Sequence, residues 1–271
     1  MRPQPSMSAS IELPARAASG LVMVAATIFA VVVGGRVFGG LVAIGAVAAL
    51  REWHRLVNRG ALAWQTIATA VAVAIAVFAA EAPGGVRFGL IAVATGAVAA
   101  ALWSSGRRSA PVWHGLGAFY VGIPALALVI LRSAGSGAHL VLGLFIAVWV
   151  ADTGALFGGR LIGGPKLVPK LSPNKTWAGF TAGTLAAGVA EAVYVRFSGG
   201  SLLTGFGFGM AIALFGHAGD LFESWVKRRF RAKDSGASIP GHGGVLDRID
   251  SLLFAAPACA VLVNAFGFTP F

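Results

Sequence analysis

The stretch His139-Leu-Val-Leu-Gly-Leu-Phe-Ile-Ala-Val-Trp-Val-Ala-Asp-Thr-Gly-Ala-Leu-Phe-Gly158 decides the fold class of this chain. It carries a single charged side chain, Asp152, and its length matches the roughly 20 apolar residues that a helix needs to cross a bilayer. Unpaired backbone polar groups are so costly in lipid that only helices and closed barrels span a membrane. Because this apolar run is continuous and does not alternate with polar residues, it predicts a transmembrane helix.

The rest of the chain repeats this pattern. Of its 271 residues, 57% are hydrophobic and 11% are charged, whereas a soluble domain carries about 25% charged residues. We therefore predict an all-α fold, a polytopic membrane helix bundle of about nine transmembrane helices, with a second helix short enough to be tilted or re-entrant. The predicted spans are 19–35, 37–51, 61–80, 86–103, 112–132, 139–158, 177–197, 202–226 and 245–266.

Lysine and arginine are distributed unequally between the two sides of this nine-span arrangement. One side carries 17 of them and the other carries 4, and cytoplasmic loops are the ones enriched in Lys and Arg. This predicts an inner (plasma) membrane protein with a cytoplasmic N-terminus, an external C-terminus and the polar loops 159–176 and 227–244 in the cytoplasm. The expected regions are a polar cytoplasmic N-terminal tail (1–18), transmembrane scaffold helices (19–135) and a transmembrane catalytic region with a cytoplasmic-side active site (136–271).

The formal net charge of +11 is expected to favour contact with anionic lipid, and no nucleic acid is expected as a partner. Blocks of Lys and Arg between apolar spans usually set topology and contact anionic lipids, so membrane lipid is a predicted partner. A single cysteine, Cys259, excludes an intrachain disulfide and a cysteine-based zinc site. Gly35 and Gly39 have the spacing of a helix-packing seam, but they bracket Arg36 at a predicted turn, so a homodimer is left open.

Charged side chains gather between Asp220 and Asp250, a segment with five of the ten acidic residues. Ionisable groups at membrane depth are costly and usually functional. Helical periodicity predicts two converging faces, made of Asp220, Glu223, Ser224 and Lys227 on one helix and Asp247 and Asp250 on the next. Carboxylate oxygens suit Mg²⁺, which is commonly shared with substrate phosphates. The phosphoryl oxygens would meet Lys227, Arg228, Lys233 and Arg248.

Each of these elements alone has a simpler interpretation. A basic run beside a membrane span usually sets topology, and a glycine-rich loop is usually a turn. An acidic pair at a helix start is favoured by the helix dipole. Their combination in one segment favours a functional site.

The segment also resembles a known signature. The pattern Ser224-x-Val-Lys-Arg-x-x-x-x-Lys-Asp-x-Gly-x-x-Ile-Pro-x-His-Gly-Gly-Val-x-Asp-Arg-Ile-Asp250 is similar to that of the bacterial phosphatidate cytidylyltransferases, also called CDP-diacylglycerol synthases. A second similar segment runs from Ala151-Asp-Thr-Gly-Ala-Leu-Phe-Gly-Gly-Arg160 to Lys170-Leu-Ser-Pro-Asn-Lys-Thr-Trp-Ala-Gly179. Taken alone, the stretch from Ser172 to Thr176 indicates a turn and an N-cap before the seventh span.

The resemblance implies a nucleotidyltransferase that joins CTP and phosphatidate to give CDP-diacylglycerol and pyrophosphate in phospholipid biosynthesis, with Mg²⁺ as cofactor. The implied magnesium ligands are Asp220, Asp247 and Asp250, with Glu223 and Asp234 as further candidates. The implied catalytic residues are Asp220, Asp247, Lys227, Asp250 and His242. The implied substrate-binding residues are Ser224, Arg228, Lys233, Arg248, Gly243, Gly244, Lys170, Ser172, Asn174 and Lys175.

Several roles stay open at this point. Asp152 is either a site carboxylate or a polar helix-packing group, and His242 is either an acid or a hydrogen-bond donor within the loop. Lys166 is expected to serve topology.

Two alternative functions also stay open. A related cytidylyltransferase or kinase acting on another lipid would share the carboxylates and differ in the lipid groove. A transporter would also have many spans, but transporters usually place charges near the midplane of two repeated halves, and no convincing internal repeat is visible here.

Overall fold

The computed structural model describes residues 7–58, 64–104, 110–239, 243–267 and 270–271, without the side chains of residues 7–19 and 266. Within these ranges the chain forms nine helices and one two-stranded antiparallel hairpin, which lies between α6 and α7. The helices are α1 (Met7–Val33), α2 (Gly35–Asn58), α3 (Trp64–Ala79), α4 (Gly85–Ser104), α5 (Pro111–Ser133), α6 (Gly137–Leu161), α7 (Trp177–Phe197), α8 (Leu202–Arg229) and α9 (Leu246–Phe266). The strands are β1 (Lys166–Val168) and β2 (Ser172–Thr176).

The predicted spans correspond one to one with these helices. The seventh has the predicted bounds, whereas α1 begins at Met7, inside the segment expected to be a polar tail, and α2 continues to Asn58. The all-α prediction is confirmed except for the hairpin. The segment Ser172–Thr176, expected to be a turn and a cap, is a strand, and only Thr176 caps α7 by accepting a hydrogen bond from the Gly179 N–H at 3.1 Å.

Five of the described helices, α4 to α8, are long and apolar enough to cross a membrane. Large apolar side chains point outward from the bundle, among them Phe29, Ile44 and Phe88, which is expected where lipid and not water is the solvent. The chain is therefore a membrane protein. The predicted count of nine crossings is not confirmed, because only these five of the described helices are long and apolar enough and the apolar parts of α1 and α3 are shorter.

The helices pack as two groups that share α9. In the first group, α3 packs on α4 and α4 on α5, and α2 packs against α3 and α5. In the second group, α6 packs on α7 and α7 on α8. One buried core includes Trp53, Val73 and Leu126, and the other includes Leu144 and Ile212. Side chains of α9 lie in both cores, as do side chains of α2, α5 and α8, so these helices join the two groups.

Glycines allow α6 and α7 to approach closely. A Cβ on Gly183 would lie 3.0 Å from the Cβ of Ala155, and one on Gly179 would lie 2.6 Å from the Ala155 carbonyl oxygen. Small residues are the usual means by which membrane helices reach such short separations. The packing holds the end of α6 beside the start of α7, where the hairpin connects them.

Candidate active site

A cavity of about 670 Å³ lies between the hairpin and the adjacent parts of α6, α7, α8 and α9. Four carboxylates line it, namely Asp152, Asp220, Asp247 and Asp250. Three cations also line it, namely Arg160, Lys166 and Lys175. The cavity thus combines groups that can hold a cation with groups that can hold phosphate oxygens.

The Lys227 ammonium group joins α8 to α9. Its Nζ donates to Glu223 Oε2 at 3.1 Å and to Asp247 Oδ1 at 2.8 Å. The Lys227 side chain is 14% exposed and that of Glu223 is fully buried. Removing one partner of a buried ion pair leaves an uncompensated charge, so these three residues depend on one another. The expected convergence of the two carboxylate-bearing helix ends is confirmed by these contacts.

Asp220 connects the carboxylate side of the cavity with the hairpin. Its carboxylate forms an ion pair with Lys175 on β2, and on α8 it lies one turn before Glu223. The Asp250 carboxyl lies within electrostatic range of both Asp220 and Glu223. Since neighbouring like charges repel each other, the carboxyls of Asp220, Glu223 and Asp250 together favour a bound cation.

Asp152 on α6 joins Asp220, Glu223 and Asp250 in what we call the carboxylate cluster. Its carboxyl lies within electrostatic range of Asp220, and its Oδ1 is 3.4 Å from the Ser251 hydroxyl that follows Asp250 on α9. Of the two roles left open for Asp152, the geometry favours the site carboxylate.

Asp247 holds the loop that precedes α9. Its carboxylate accepts the Ser235 N–H at 3.0 Å and the Gly244 N–H at 3.2 Å, in addition to the Lys227 bond. Gly243 has a φ of +81° and closes an antiparallel bridge with Ile239, a conformation that favours glycine. Gly243 of the sequence signature is therefore needed for the tight course of this loop.

Glu52 on α2 also belongs to this arrangement, although the sequence reading assigned its region to a scaffold. Its side chain is 1% exposed and accepts hydrogen bonds from Ser235, Val245 and Leu246. The contacts join residues 183 to 194 positions apart. An acidic residue directly after the apolar run of the predicted span 37–51 was the available signal.

The hairpin forms the opposite, basic side of the cavity. Ser172, Asn174 and Lys175 on β2 line it as expected. Lys166 on β1 also lines it, in contrast to the purely topological role expected for this residue. Arg160 at the end of α6 and His217 on α8 complete the lining and were not anticipated. His217 lies three residues before Asp220, on the same face of α8, which is the spacing that could have identified it.

Other residues implied by the resemblance do not line this cavity. They are Glu223, Lys227, Gly243, Gly244, Ser224, Arg228, Lys233, Arg248, Lys170 and Asp234. Arg228 donates to the carbonyl oxygen of Ala232 at 2.9 Å, which stabilises the turn after α8. Their roles in substrate binding stay predictions, and His242 lies outside the described residues.

The donor set fits Mg²⁺ when a substrate supplies part of the coordination. Within the described ranges, no three His, Cys, Asp or Glu side chains are arranged to hold a metal ion by themselves. Mg²⁺ usually takes one or two carboxylates and completes its shell with waters and substrate phosphates. Asp220 and Asp250 supply such oxygens, and the buried Glu223 Oε1, which has no hydrogen-bond partner among the described residues, adds acceptor capacity beside them.

An apolar groove of about 590 Å³ lies between α5, α8 and α9. Tyr120, Phe222 and Phe254 line it. The Tyr120 hydroxyl is buried, has no hydrogen-bond partner among the described residues, and lies within electrostatic range of Glu223, Asp250 and Asp220. The Tyr120 hydroxyl therefore places one part of the groove lining near the Asp220, Glu223 and Asp250 carboxyls.

Comparison with known proteins gives this geometry a family. Residues 14–266 match the model of the cytidylyltransferase family. A phosphatidate cytidylyltransferase of Brucella suis is 45% identical over 169 residues, which cover 61% of this chain and 59% of the relative. One of Rickettsia bellii is 38% identical over 164 residues, 57% of this chain and 71% of the relative.

A third relative, the phosphatidate cytidylyltransferase of Staphylococcus saprophyticus, is 43% identical over 146 residues, 53% of this chain and 55% of the relative. The chain thus spans about three fifths of the length of the Brucella relatives that it matches. Because the family model extends over nearly all of the helices that build the cavity, the chain belongs to the cytidylyltransferase family.

Proposed function

We propose that this protein transfers the cytidylyl group of CTP to phosphatidate, producing CDP-diacylglycerol and pyrophosphate for phospholipid biosynthesis. The observation that carries the proposal is a cavity lined by carboxylates and by cations, with an apolar groove near it on the same two helices, α8 and α9, in a membrane protein. Such a site can take a charged nucleotide and a lipid phosphate together. The relatives, each named phosphatidate cytidylyltransferase, support the choice of substrates.

The proposed reaction is a displacement at phosphorus. A phosphate oxygen of phosphatidate attacks the α-phosphorus of CTP, a new P–O bond forms, and the bond from the α-phosphorus to the oxygen bridging to the β-phosphate breaks. Pyrophosphate leaves with the electron pair of that bond. Phosphoryl-transfer chemistry of this kind depends mainly on positioning and on neutralising charge.

Different residues are suited to bind the phosphates and to position the carboxylates. Lys166, Lys175 and Arg160 are suited to hold phosphate oxygens on the hairpin side, because cationic donors form strong hydrogen bonds with phosphate. Ser172 and Asn174 add neutral hydrogen-bonding groups next to them. Lys227 keeps Glu223 and Asp247 in place on the other side.

Asp220, Asp250 and Asp247, the third ligand that the resemblance implies, all line the cavity. The proposed cofactor is Mg²⁺, which Asp220 and Asp250 would hold together with phosphate oxygens of the substrates. When bound, it would neutralise phosphate charge and stabilise the attacking and leaving oxygens. Asp247 already accepts bonds from Lys227, Ser235 and Gly244, and a carboxylate has about four acceptor positions. This leaves Asp247 room for one further bond.

The apolar groove is the proposed site of the acyl chains. Its aromatic lining lies beside the carboxylate cluster, so a lipid lying in the groove would present its phosphate to the cavity. The distribution of Lys and Arg supports an inner-membrane location with nine crossings and a cytoplasmic active site, where CTP is available. The homodimer stays a prediction.

The test is a direct assay of the purified full-length protein in detergent. With radiolabelled CTP and phosphatidate, we expect label to enter a lipid-soluble product and pyrophosphate to be released in equal amount. Chelation of divalent ions by EDTA should stop the reaction, and added Mg²⁺ should restore it. Replacing phosphatidate with polyprenyl phosphate tests the alternative lipid. A faster reaction with polyprenyl phosphate, or no lipid-soluble product at all, would contradict the proposal.

A further inference from the structure

Helix α9, which carries Asp247 and Asp250, receives no side-chain capping hydrogen bond from its own N-cap residue. Its N-cap residue, Val245, is already helical, with φ −64° and ψ −43°, and makes no side-chain capping bond. The first N–H groups of a helix have no partner within the helix. Here Glu52 Oε1 accepts the Val245 N–H at 2.9 Å and Oε2 accepts the Leu246 N–H at 2.8 Å. The cap therefore comes from α2.

Ser235 connects this cap with the active site. Its hydroxyl donates to Glu52 Oε2 at 3.0 Å, while its backbone N–H donates to Asp247 Oδ2, also at 3.0 Å. The Gly244 N–H, directly before Val245, donates to Asp247 as well. Glu52 and Asp247 thus accept hydrogen bonds from the same two loop segments, one at Ser235 and one at residues 244–246. A displacement of one carboxylate therefore displaces donors of the other.

Two glycines make room for the Glu52 carboxylate. A Cβ on Gly236 would lie 2.9 Å from Glu52 Oε1, and a Cβ on Gly244 would lie 2.6 Å from Oε2. The side chain is 1% exposed, and a buried anion is tolerated only when it is well hydrogen-bonded. Its three donors and the positive end of the α9 dipole supply that compensation. The loop is therefore shaped around a carboxylate at this position.

We propose that Glu52 is a positioning residue of the active site: through Ser235 and the start of α9, its carboxylate fixes the direction in which Asp247 and Asp250 face the cavity. The proposal rests on the proposed cytidylyl transfer. It also gives the first half of the chain a part in catalysis beyond that of a scaffold.

The main test is Glu52→Gln, with Glu81→Gln as the matched control. Glutamine keeps the size but has one acceptor oxygen, and its amide group faces N–H donors. Glu81 follows α3 and makes none of the contacts with the loop. Per folded enzyme, we expect Glu52→Gln to lower kcat about 10- to 100-fold, as small misplacements of reacting groups do, and to raise the Mg²⁺ concentration needed for half activity. Glu81→Gln should keep both values.

Ser235→Ala supplies a second variant that removes only the link. We expect a smaller loss of kcat, by about fivefold, because only one hydrogen bond is removed and Glu52 keeps the Val245 and Leu246 N–H donors. Combined with Glu52→Gln it should add little, because residues acting through a shared contact are not additive. If the two losses multiply fully, Glu52 does not act through Ser235 and the proposal is wrong.

Hydrogen exchange separates this proposal from the proposed function, because it needs no turnover. In Glu52→Gln, amides of residues 235–247 should exchange faster while those of α6 and α7 keep their rates. If wild-type protein makes no CDP-diacylglycerol, the proposed function fails and the exchange result still tests the cap. If Glu52→Gln keeps wild-type kcat and Mg²⁺ dependence, or does not fold while Ser235→Ala is fully active, Glu52 is not a positioning residue.

Discussion

The two sides of the cavity are built differently. On the side formed by α8 and α9, Glu223 and Lys227 are largely buried, and Lys227 is paired with both Glu223 and Asp247. On the hairpin side, Lys166 and Asn174 are exposed, and Lys175 pairs with Asp220 across the cavity. A side that is fixed before substrate arrives stabilises the transition state, whereas exposed side chains contribute mainly to binding. Substitutions on the first side should lower kcat, and those on the second should raise KM.

The largest effect is expected from Asp247→Asn. The amide loses the charge that pairs with Lys227 and turns an NH₂ group toward the Ser235 and Gly244 donors. We expect kcat to fall by about 10²–10³-fold or more, the range found when a group that stabilises a reacting oxygen is removed. Turnover of labelled CTP measures the effect, with membrane insertion and size-exclusion profile as controls. Near-wild-type activity would remove Asp247 from the site.

Lys227→Met tests whether the side formed by α8 and α9 also stabilises the fold. The substitution leaves Glu223 and Asp247 unpaired, and breaking a buried ion pair costs about 3–5 kcal/mol. We expect a clear decrease in the thermal unfolding temperature in detergent. Arg229→Met, at the exposed end of α8, is the matched control and should keep the wild-type value. Adding Glu223→Gln to Lys227→Met should recover part of the loss, and no recovery would argue against the pairing.

The helices could be predicted because hydropathy acts locally. Continuous apolar runs identified all nine described helices, and helical periodicity predicted that the Lys227 and Asp247 helix faces converge. The hairpin could not be predicted, since strands of three and five residues with Pro173 between polar neighbours carry no alternating pattern. Glu52 could not be placed either, because its partners lie more than 180 positions away and only packing brings them together.

Lys175→Gln tests the other side of the comparison. Lys175 lines the cavity and pairs with Asp220, whereas Lys170 lies exposed in the turn of the same hairpin and does not line the cavity. Loss of one charged hydrogen bond to a phosphate should raise KM for CTP about tenfold, with a smaller change in kcat. Lys170→Gln, which removes the same charge, should change KM less than threefold. Equal effects of the two variants would mean that net charge, and not position, determines binding.

The smallest effect is expected from Asp234→Asn, which tests whether the side formed by α8 and α9 includes the turn that follows α8. Asp234 immediately precedes Ser235, yet its side chain is exposed and does not line the cavity. Because Ser235 contacts Glu52 and Asp247 through its own hydroxyl and N–H, neutralising Asp234 leaves those bonds intact. Surface substitutions of this kind change stability by less than about 0.5 kcal/mol, so we expect kcat and the Mg²⁺ dependence to change less than twofold. A tenfold loss would place Asp234 among the magnesium ligands and extend the fixed side beyond Ser235, into the turn that follows α8.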